Sequence, residues 1–315
     1  MIKRIDRTQV RVGMFIETLE GEWQTTPINR RRFLLDSEAL AQQIRTSGIV
    51  GAIINTSMGV DIDGLRRPDS AEAAATLQQR KETARILTQA TRELEAVLGT
   101  VLSGDPLTME GVSPLVGEVT KSVESGPAIM LDLTRLKSRD KSTFLHSVAV
   151  SALMVHFSRS LAFDAATIEL MGVAGLVHDV GKLAIPITVL QKPTALTEEE
   201  RRIIMSHPVL GYDILKQQNS LPDLVFDITR HHHERMDGKG YPDRIAAAEL
   251  GIHVRMAAIC DVYEALTSVR PYKTPWTSSM ALNWMLARPE HFDIPLLWKF
   301  ILSLDSTLTK DVRHH

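Results

Sequence analysis

Segments with apolar residues at helical spacing follow one another from about residue 107 to residue 303, with almost no two-residue alternation between them. Clusters of Pro and Gly separate several of these segments, which lie near 112–136, 141–162, 165–182, 197–217, 222–235, 252–268 and 277–303. Because an amphipathic helix must bury its apolar stripe against another element, such a chain packs helix on helix. The sequence predicts an all-helical domain over the C-terminal two thirds.

The first 68 residues have a different pattern, which predicts a small α/β domain. Residues 10–16 and 48–54 are short apolar runs bounded by glycine and are typical of strands. Between them, Ser37 is a candidate N-cap for a helix that runs through Ile44.

A long helix is predicted to join the two parts. Its apolar residues follow a seven-residue period over roughly three heptads, at Ala84, Thr91 and Leu98 and three positions later at Leu87, Leu94 and Val101. This seam is suited equally to pairing two copies in a homodimer through residues 71–102 and to packing against the chain's own C-terminal domain.

Charge and cysteine content limit the partners and the compartment. The chain has 36 Lys and Arg against 38 Asp and Glu, a formal net charge of −2, which argues against a broad nucleic-acid surface. The single cysteine, Cys260, excludes an intrachain disulfide and fits a reducing compartment. No window approaches the roughly 18 apolar residues of a membrane span, and no signal-peptide pattern follows Met1, so we expect a cytoplasmic protein.

Candidate chemistry is concentrated in eleven histidines and a few carboxylates. His178 and Asp179 are adjacent, and neighbouring positions on a helix point about 100° apart, so the pair can flank one metal ion. Lys182 lies one helical turn after His178, on the same face, where it can meet an anionic substrate.

Further candidate ligands lie on or beside other predicted helices, at His146, His207, the run His231-His232-His233-Glu234, and Asp261. A helical bundle can gather such side chains in its core. Imidazole and carboxylate without thiolate suit iron, manganese, nickel or zinc, and a carboxylate can bridge two ions in a hydrolytic centre.

The order of these motifs resembles the HD-GYP family, the metal-dependent cyclic di-GMP phosphodiesterases of the HD phosphohydrolase superfamily. The resemblance is carried by His146-Ser147-Val148, by His178-Asp179-Val180-Gly181-Lys182, by His207-Pro208, by the stretch from His232 to Pro242, and by the stretch from Asp261 to Lys273. Residues 1–68 also resemble the uncharacterised domain often found ahead of this catalytic domain, through Val12-Gly13-Met14-Phe15 and the spacing to Trp23.

The resemblance implies a set of roles. The metal ligands would be His146, His178, Asp179, His207, His232, His233 and Asp261, with Asp179 as the bridging carboxylate. Lys182 would meet the scissile phosphate, and Tyr241, Arg270 and Lys273 would contact the substrate. The Gly240-Tyr241-Pro242 loop would be a contact for diguanylate cyclase (GGDEF) domains.

Two positions depart from the family pattern. Ser142 stands where family members with three metals carry a glutamate, so we predict two divalent ions per chain, most simply iron or manganese. Arg244 stands where the family usually has glycine, two residues after the proline of the loop, and a side chain there restricts the backbone.

The resulting expectation is an HD-type helical domain at 105–305, preceded by a small α/β regulatory or sensory domain at 1–68 and a linker helix at 69–104, with a flexible tail at 306–315. A metal-bound hydroxide would cleave cyclic di-GMP to linear pGpG, with onward cleavage to GMP left open. Two alternatives remain, a weak or inactive receptor that binds the dinucleotide and signals through its N-terminal domain or partner proteins, and an HD hydrolase for another nucleotide. Glu264 is suited equally to supporting a ligand and to contacting the substrate, and His231 is expected outside the ligand set.

Overall fold

The computed structural model describes residues 2–21, 32–56, 58–62, 70–102, 104–125, 142–192, 194–217, 221–268 and 276–304. The chain divides into two compact units, Met1–Gln79 and Arg80–His315.

The N-terminal unit is built on a four-stranded antiparallel sheet with the order β1-β4-β2-β3. Its strands are β1 (Ile2–Asp6), β2 (Phe15–Gly21), β3 (Phe33–Leu34) and β4 (Ile49–Asn55), and they are accompanied by helix α1 (Glu38–Thr46) and a 3-10 turn (Arg7–Gln9). Ser37 caps α1 by accepting the Leu40 N–H at 3.2 Å. Ile5, Ile16, Ile44 and Ile54 are buried in the core of this unit. The predicted small α/β domain is therefore confirmed.

One predicted strand is wrong in its extent. The apolar run 10–16 was expected to be extended throughout, but strand β2 begins only at Phe15. Gly13 has φ +91, a conformation that favours glycine, and Met14 N–H donates to Arg11 O at 3.3 Å. Residues 10–14 therefore form a turn whose apolar side chains, Val10 and Met14, enter the core without strand pairing.

Helix α2 (Ser70–Leu102) contains the heptad seam. Leu87, Leu94, Leu98 and Val101 are buried within the apolar core of the C-terminal unit, and Thr91 between them is buried as well. Of the two uses that the pattern allowed, the structure shows packing against the chain's own C-terminal domain. These seam positions are covered within a single chain.

Beyond α2, all the regular secondary structure in the described part of the C-terminal unit is helical, as predicted. Its helices are α3 (Met109–Ser125), α4 (Ser142–Ser160), α5 (Ala165–Val177), α6 (Ile187–Leu190), α7 (Glu198–Met205), α8 (His207–Lys216), α9 (Asp223–His231), α10 (Ile252–Thr267), α11 (Ser278–Leu286) and α12 (Ile294–Leu304), with a 3-10 turn at Val180–Ala184. Thr197 and Glu200 form a capping box that begins α7.

Helices α4 and α5, which carry His146 and end at His178, pack closely against each other. A Cβ atom added at Gly175 of α5 would lie 2.5 Å from the Cα of Ser151 on α4, so only glycine allows this approach. Every residue of α5 from Met171 to Val177 is buried. The end of α5 therefore comes directly against the N-terminal half of α4. No helix of the described residues has both the length and the apolar character needed to cross a bilayer.

Candidate metal centre

Three chain elements meet where α5 ends. His178 is the C-cap of α5, and Asp179 is the N-cap of the following 3-10 turn, which contains Lys182. A Cβ atom at Gly181 would lie 2.0 Å from the backbone oxygen of His207, the first residue of α8. This glycine therefore lets the start of α8 approach the His178-Asp179 pair.

The first group of candidate ligands is formed by His146, His178 and Asp179, which offer ligand atoms within 4.8 Å of one another. His146 projects from α4, and its Nε2 lies 3.0 Å from Oδ1 of Asp261 on α10. Nε2 of His178 lies 4.0 Å from the same oxygen atom. All four side chains are buried.

The second group is formed by His207, His232 and His233, whose ligand atoms also lie within 4.8 Å of one another. His232 is the C-cap of α9, and His233 follows it. Nδ1 of His233 lies 3.9 Å from Oδ2 of Asp261, so this carboxylate also faces both groups.

Asp179 lies between the two groups. Its Oδ2 is 3.5 Å from Nε2 of His146 and 3.5 Å from Nε2 of His178. Its Oδ1 is 3.2 Å from Nε2 of His207 and 3.9 Å from Nε2 of His232. Each carboxylate oxygen therefore faces a different pair of imidazoles, which is the arrangement a bridging carboxylate requires.

Backbone carbonyls fix which nitrogen of three histidines faces the cluster. Nδ1 of His178 donates to Gly175 O at 2.9 Å, Nδ1 of His207 to Ile204 O at 2.8 Å, and Nδ1 of His232 to Thr229 O at 3.0 Å. Because a carbonyl only accepts, Nε2 of each ring carries the lone pair. This use of the second ring nitrogen is typical of metal-binding histidines.

Several nitrogen and oxygen atoms of the cluster have lone pairs arranged to bind a cation. Nε2 of His207 and Nε2 of His232 lie 3.3 Å apart, so two lone pairs face each other. Nε2 of His178 and Oδ1 of Asp179 are buried without a hydrogen-bond partner among the described residues. Orphaned acceptors are costly to bury, and a divalent cation bound to imidazole and carboxylate would satisfy them.

Glu264 supports His146 from the side away from the cluster. Its Oε2 lies 2.5 Å from Nδ1 of His146, and its Oε1 accepts the hydroxyl of Ser268 at 2.5 Å. Burial by itself would lower the pKa of His146, but the charge of Glu264 and the hydrogen bond to Asp261 outweigh it and raise that pKa. Glu264 therefore contacts the candidate ligand His146, which is one of the two roles that the sequence left open for it.

The local electrostatics favour the metal-binding forms of Asp179, His232 and His233. Burial would raise the pKa of Asp179, but the neighbouring Lys182 and His178 outweigh it and hold the pKa well below its usual range. Burial lowers the pKa of His232 strongly and that of His233 to about 3. Ionised carboxylate and neutral imidazole are the forms that bind a metal ion.

The predicted substrate contacts are only partly described. Nζ of Lys182 lies 2.5 Å from Oδ2 of Asp179, with its side chain one quarter exposed. The ring of Tyr241 stacks on His233 at a centroid distance of 4.7 Å and an interplanar angle of 29°. Arg270 and Lys273 lie outside the described residues, and so does the side chain of Ser142 at the start of α4.

Sequence reasoning missed the residues that hold the loop after Tyr241. The buried carboxylate of Glu234 accepts the Asp243 N–H at 2.7 Å and the Arg244 N–H at 2.8 Å through Oε1. Arg244 itself has φ +60, in the left-handed region that glycine favours. The glycine expected by the family pattern would fit this conformation, which Arg244 adopts at a cost.

The family models that match the chain agree with this geometry. Residues 126–296 match the model of the HD domain, and residues 2–131 match a domain of unknown function, DUF3391. The chain therefore belongs to the HD domain family.

Known relatives of the chain indicate its class of enzyme. A cyclic di-GMP phosphodiesterase of Pseudomonas aeruginosa is 36% identical to this chain over an alignment of 320 positions. The alignment covers 96% of this chain and 76% of that protein. The 3′3′-cGAMP-specific phosphodiesterase 2 of Vibrio cholerae serotype O1 is 32% identical over 164 residues, 51% of this chain and 31% of that protein. The predicted HD-GYP resemblance and the predicted class of enzyme, a phosphodiesterase, are confirmed.

A solved structure shares the fold. The HDG"Y"P protein of Bdellovibrio bacteriovorus superposes with a TM-score of 0.55 at 16% identity, covering 95% of this chain and 98% of that one. At that identity the likeness supports the predicted HD-type helical fold.

Proposed function

We propose that the protein hydrolyses the 3′,5′-phosphodiester of cyclic di-GMP to linear pGpG. The observation that carries this proposal is the position of Asp179, whose two carboxylate oxygens face two separate pairs of histidines. A carboxylate placed in this way can bridge two metal ions, and two-metal sites of this kind catalyse phosphodiester hydrolysis. The P. aeruginosa relative, which this chain matches over nearly its whole length, supports the choice of substrate.

Two divalent ions per chain, iron or manganese, would be held by the two groups. His146, His178 and Asp261 would bind one ion, His207, His232 and His233 the other, and Asp179 both. When bound, such ions supply a hydroxide near neutral pH and stabilise negative charge on a phosphoryl oxygen. The donor set of imidazole and carboxylate suits these hard and borderline cations.

The chain's own residues would then bind and orient the phosphodiester. Lys182 is held by Asp179 at the exposed edge of the cluster, where its ammonium group can contact a non-bridging phosphoryl oxygen. The ring of Tyr241 stacks on His233 and covers part of that side of the site, where it can contact the substrate. Arg270 and Lys273 would hold the phosphates of the dinucleotide, as the family resemblance implies.

A substrate panel tests the proposal. Protein with a measured iron or manganese content is incubated separately with cyclic di-GMP and 3′3′-cGAMP, and products are separated by chromatography and identified by mass. We expect pGpG from cyclic di-GMP at the higher kcat/KM. Tight binding of cyclic di-GMP without product at full metal content would refute hydrolysis and favour a receptor, and preferential cleavage of 3′3′-cGAMP would refute the substrate assignment.

Lys182 provides a sharper arm of the same test. Lys182→Met removes the ammonium group, and we expect kcat to fall by about 100-fold or more, as for other groups that stabilise transition-state charge. The matched control is Lys121→Met, because Lys121 is an exposed lysine of α3 paired with Glu118. Metal content is measured for both variants, and an unchanged kcat for Lys182→Met would refute the assigned role.

A further inference from the structure

The loop that carries Tyr241 is fastened to α9 by side chains outside the family motif. Arg230 donates to Asp243 through both Nε and Nη2, at 2.6 Å to Oδ2 and 2.9 Å to Oδ1. Nε2 of His231 lies 3.0 Å from Oδ2 of the same carboxylate. A bidentate, charge-assisted pair of this kind fixes orientation as well as distance. We call Arg230, His231 and Asp243 the loop clamp.

The α9 side of the loop clamp is itself anchored. Nδ1 of His231 lies 2.7 Å from Oδ1 of Asp227, one turn earlier on α9. The guanidinium of Arg230 lies over the ring of Tyr212 on α8, with its Cζ 5.0 Å from the ring centroid. The clamp therefore connects the loop to the two helices that supply His207 and His232.

The backbone of the loop is bound to the same place. A Cβ atom at Gly240 would lie 2.4 Å from the Cα of Glu234, so the loop returns directly against the residues that follow His232. The Tyr241 N–H donates to His233 O at 3.3 Å. Arg244 keeps its left-handed conformation, and such a conformation persists only where its surroundings determine it.

These contacts have one consequence for the site. Asp243 lies two residues after Tyr241, and the Tyr241 ring stacks on His233. We propose that Arg230 and His231 are positioning residues that, through Asp243, hold Tyr241 against His233 and so set one wall of the substrate site. The effect of the clamp on substrate binding rests on the proposed function, whereas its effect on the loop does not.

The test uses full-length, metal-loaded protein and three variants. Asp243→Ala removes the carboxylate, Arg230→Ala removes the bidentate partner, and the double variant closes a double-mutant cycle. We expect each single variant to raise KM for cyclic di-GMP about tenfold, the scale of one lost charge-assisted hydrogen bond, with kcat changed much less. The double variant should equal Asp243→Ala, because that change already removes the carboxylate to which Arg230 is bound.

One conservative change and one control variant complete the set. Arg230→Lys keeps the positive charge but loses the two parallel N–H donors of the guanidinium. Its KM for cyclic di-GMP should therefore lie between those of the wild type and Arg230→Ala. Arg202→Ala breaks an exposed ion pair with Glu199 on α7 and should change nothing.

Two further readouts separate positioning from structural support. Metal content should stay at the wild-type value in Asp243→Ala, and turnover of bis(p-nitrophenyl) phosphate, a small phosphodiester without guanine bases, should fall much less than turnover of cyclic di-GMP. Amide hydrogen exchange of the Tyr241–Arg244 segment should become about tenfold faster. Unchanged KM with unchanged exchange would overturn the proposal, and so would a loss of bound metal in parallel with activity.

Failure of the proposed function is visible separately. If metal-loaded wild-type protein cleaves neither cyclic dinucleotide, the substrate assignment fails. Exchange of the Tyr241–Arg244 amides in Asp243→Ala then decides the loop clamp by itself, since faster exchange supports it and unchanged exchange overturns it.

Discussion

Glu264 offers a direct perturbation of one half of the candidate metal centre. The substitution Glu264→Gln keeps the shape of the side chain but removes its negative charge from His146, to which Oε2 lies 2.5 Å away. Both side chains are buried, with Glu264 3% and His146 6% exposed, so water cannot replace the lost interaction. The carboxylate orients the ring and raises the basicity of the nitrogen that faces Asp179.

The size of the effect follows from this contact. A buried hydrogen bond to a charged group contributes about 1.5–3 kcal/mol, equivalent to about 10- to 100-fold in affinity. We expect that weakening for the ion bound by His146, His178 and Asp261. The affinity for the ion bound by His207, His232 and His233 should change much less. Nδ1 of His207 and Nδ1 of His232 donate to backbone carbonyls, and Nδ1 of His233 lies 3.9 Å from Asp261.

The assay is a metal titration against a competing chelator, with bound manganese counted per chain. Glu249→Gln serves as the control because Glu249 is exposed and outside both groups. Wild-type affinity at both sites would refute the supporting role. Wild-type affinity combined with a raised KM for cyclic di-GMP would instead show that Glu264 contacts the substrate.

Two backbone positions give further predictions. Arg244 has a left-handed backbone conformation, which costs a non-glycine residue about 1–2 kcal/mol. Replacing Arg244 by glycine removes this cost, partly offset by the greater chain entropy of glycine, so the free energy of unfolding should rise by about 1 kcal/mol in denaturant titration. A decrease in the free energy of unfolding would contradict this prediction. Gly181→Ala places a Cβ atom 2.0 Å from His207 O and should lower the free energy of unfolding by about 3 kcal/mol and reduce metal content. Gly117→Ala on α3 should instead raise the free energy of unfolding by about 0.5–1 kcal/mol, because among the described residues no atom outside the local helix backbone lies within 4 Å of the added Cβ. Equal stabilities of the two alanine variants would show that the close approach at Gly181 is wrong.

Local pattern predicted most of the architecture. The helical period identified the C-terminal domain because nearly every helix there buries an apolar stripe, as the seam of Leu87, Leu94 and Leu98 shows. The partner of that seam stayed open because a heptad pattern does not say which surface covers it. Strand β1 was missed because Lys3 and Arg4 obscure the apolar alternation, and residues 10–14 were misassigned because Gly13 turns the chain.

The site was predictable to the extent that its residues form motifs. His178 and Asp179 are adjacent in the chain, and the family resemblance supplied their distant companions. The contact between Glu264 and His146 joins residues 118 positions apart and depends on how α10 is rotated against α4. The loop clamp was missed for a similar reason, since the pairing of Arg230 with Asp243 appears only when the loop folds back on α9.

We propose that Asp179 joins two metal ions into one hydrolytic centre, and a stoichiometric metal titration tests this proposal. Metal-free protein is loaded stepwise with manganese or iron(II), and pGpG formation from cyclic di-GMP is measured at each step. We expect that activity rises to a plateau at two bound ions per chain, and that Asp179→Ala binds neither ion tightly and forms no pGpG. A plateau at one ion, full loading without product, or two ions retained by Asp179→Ala would contradict it.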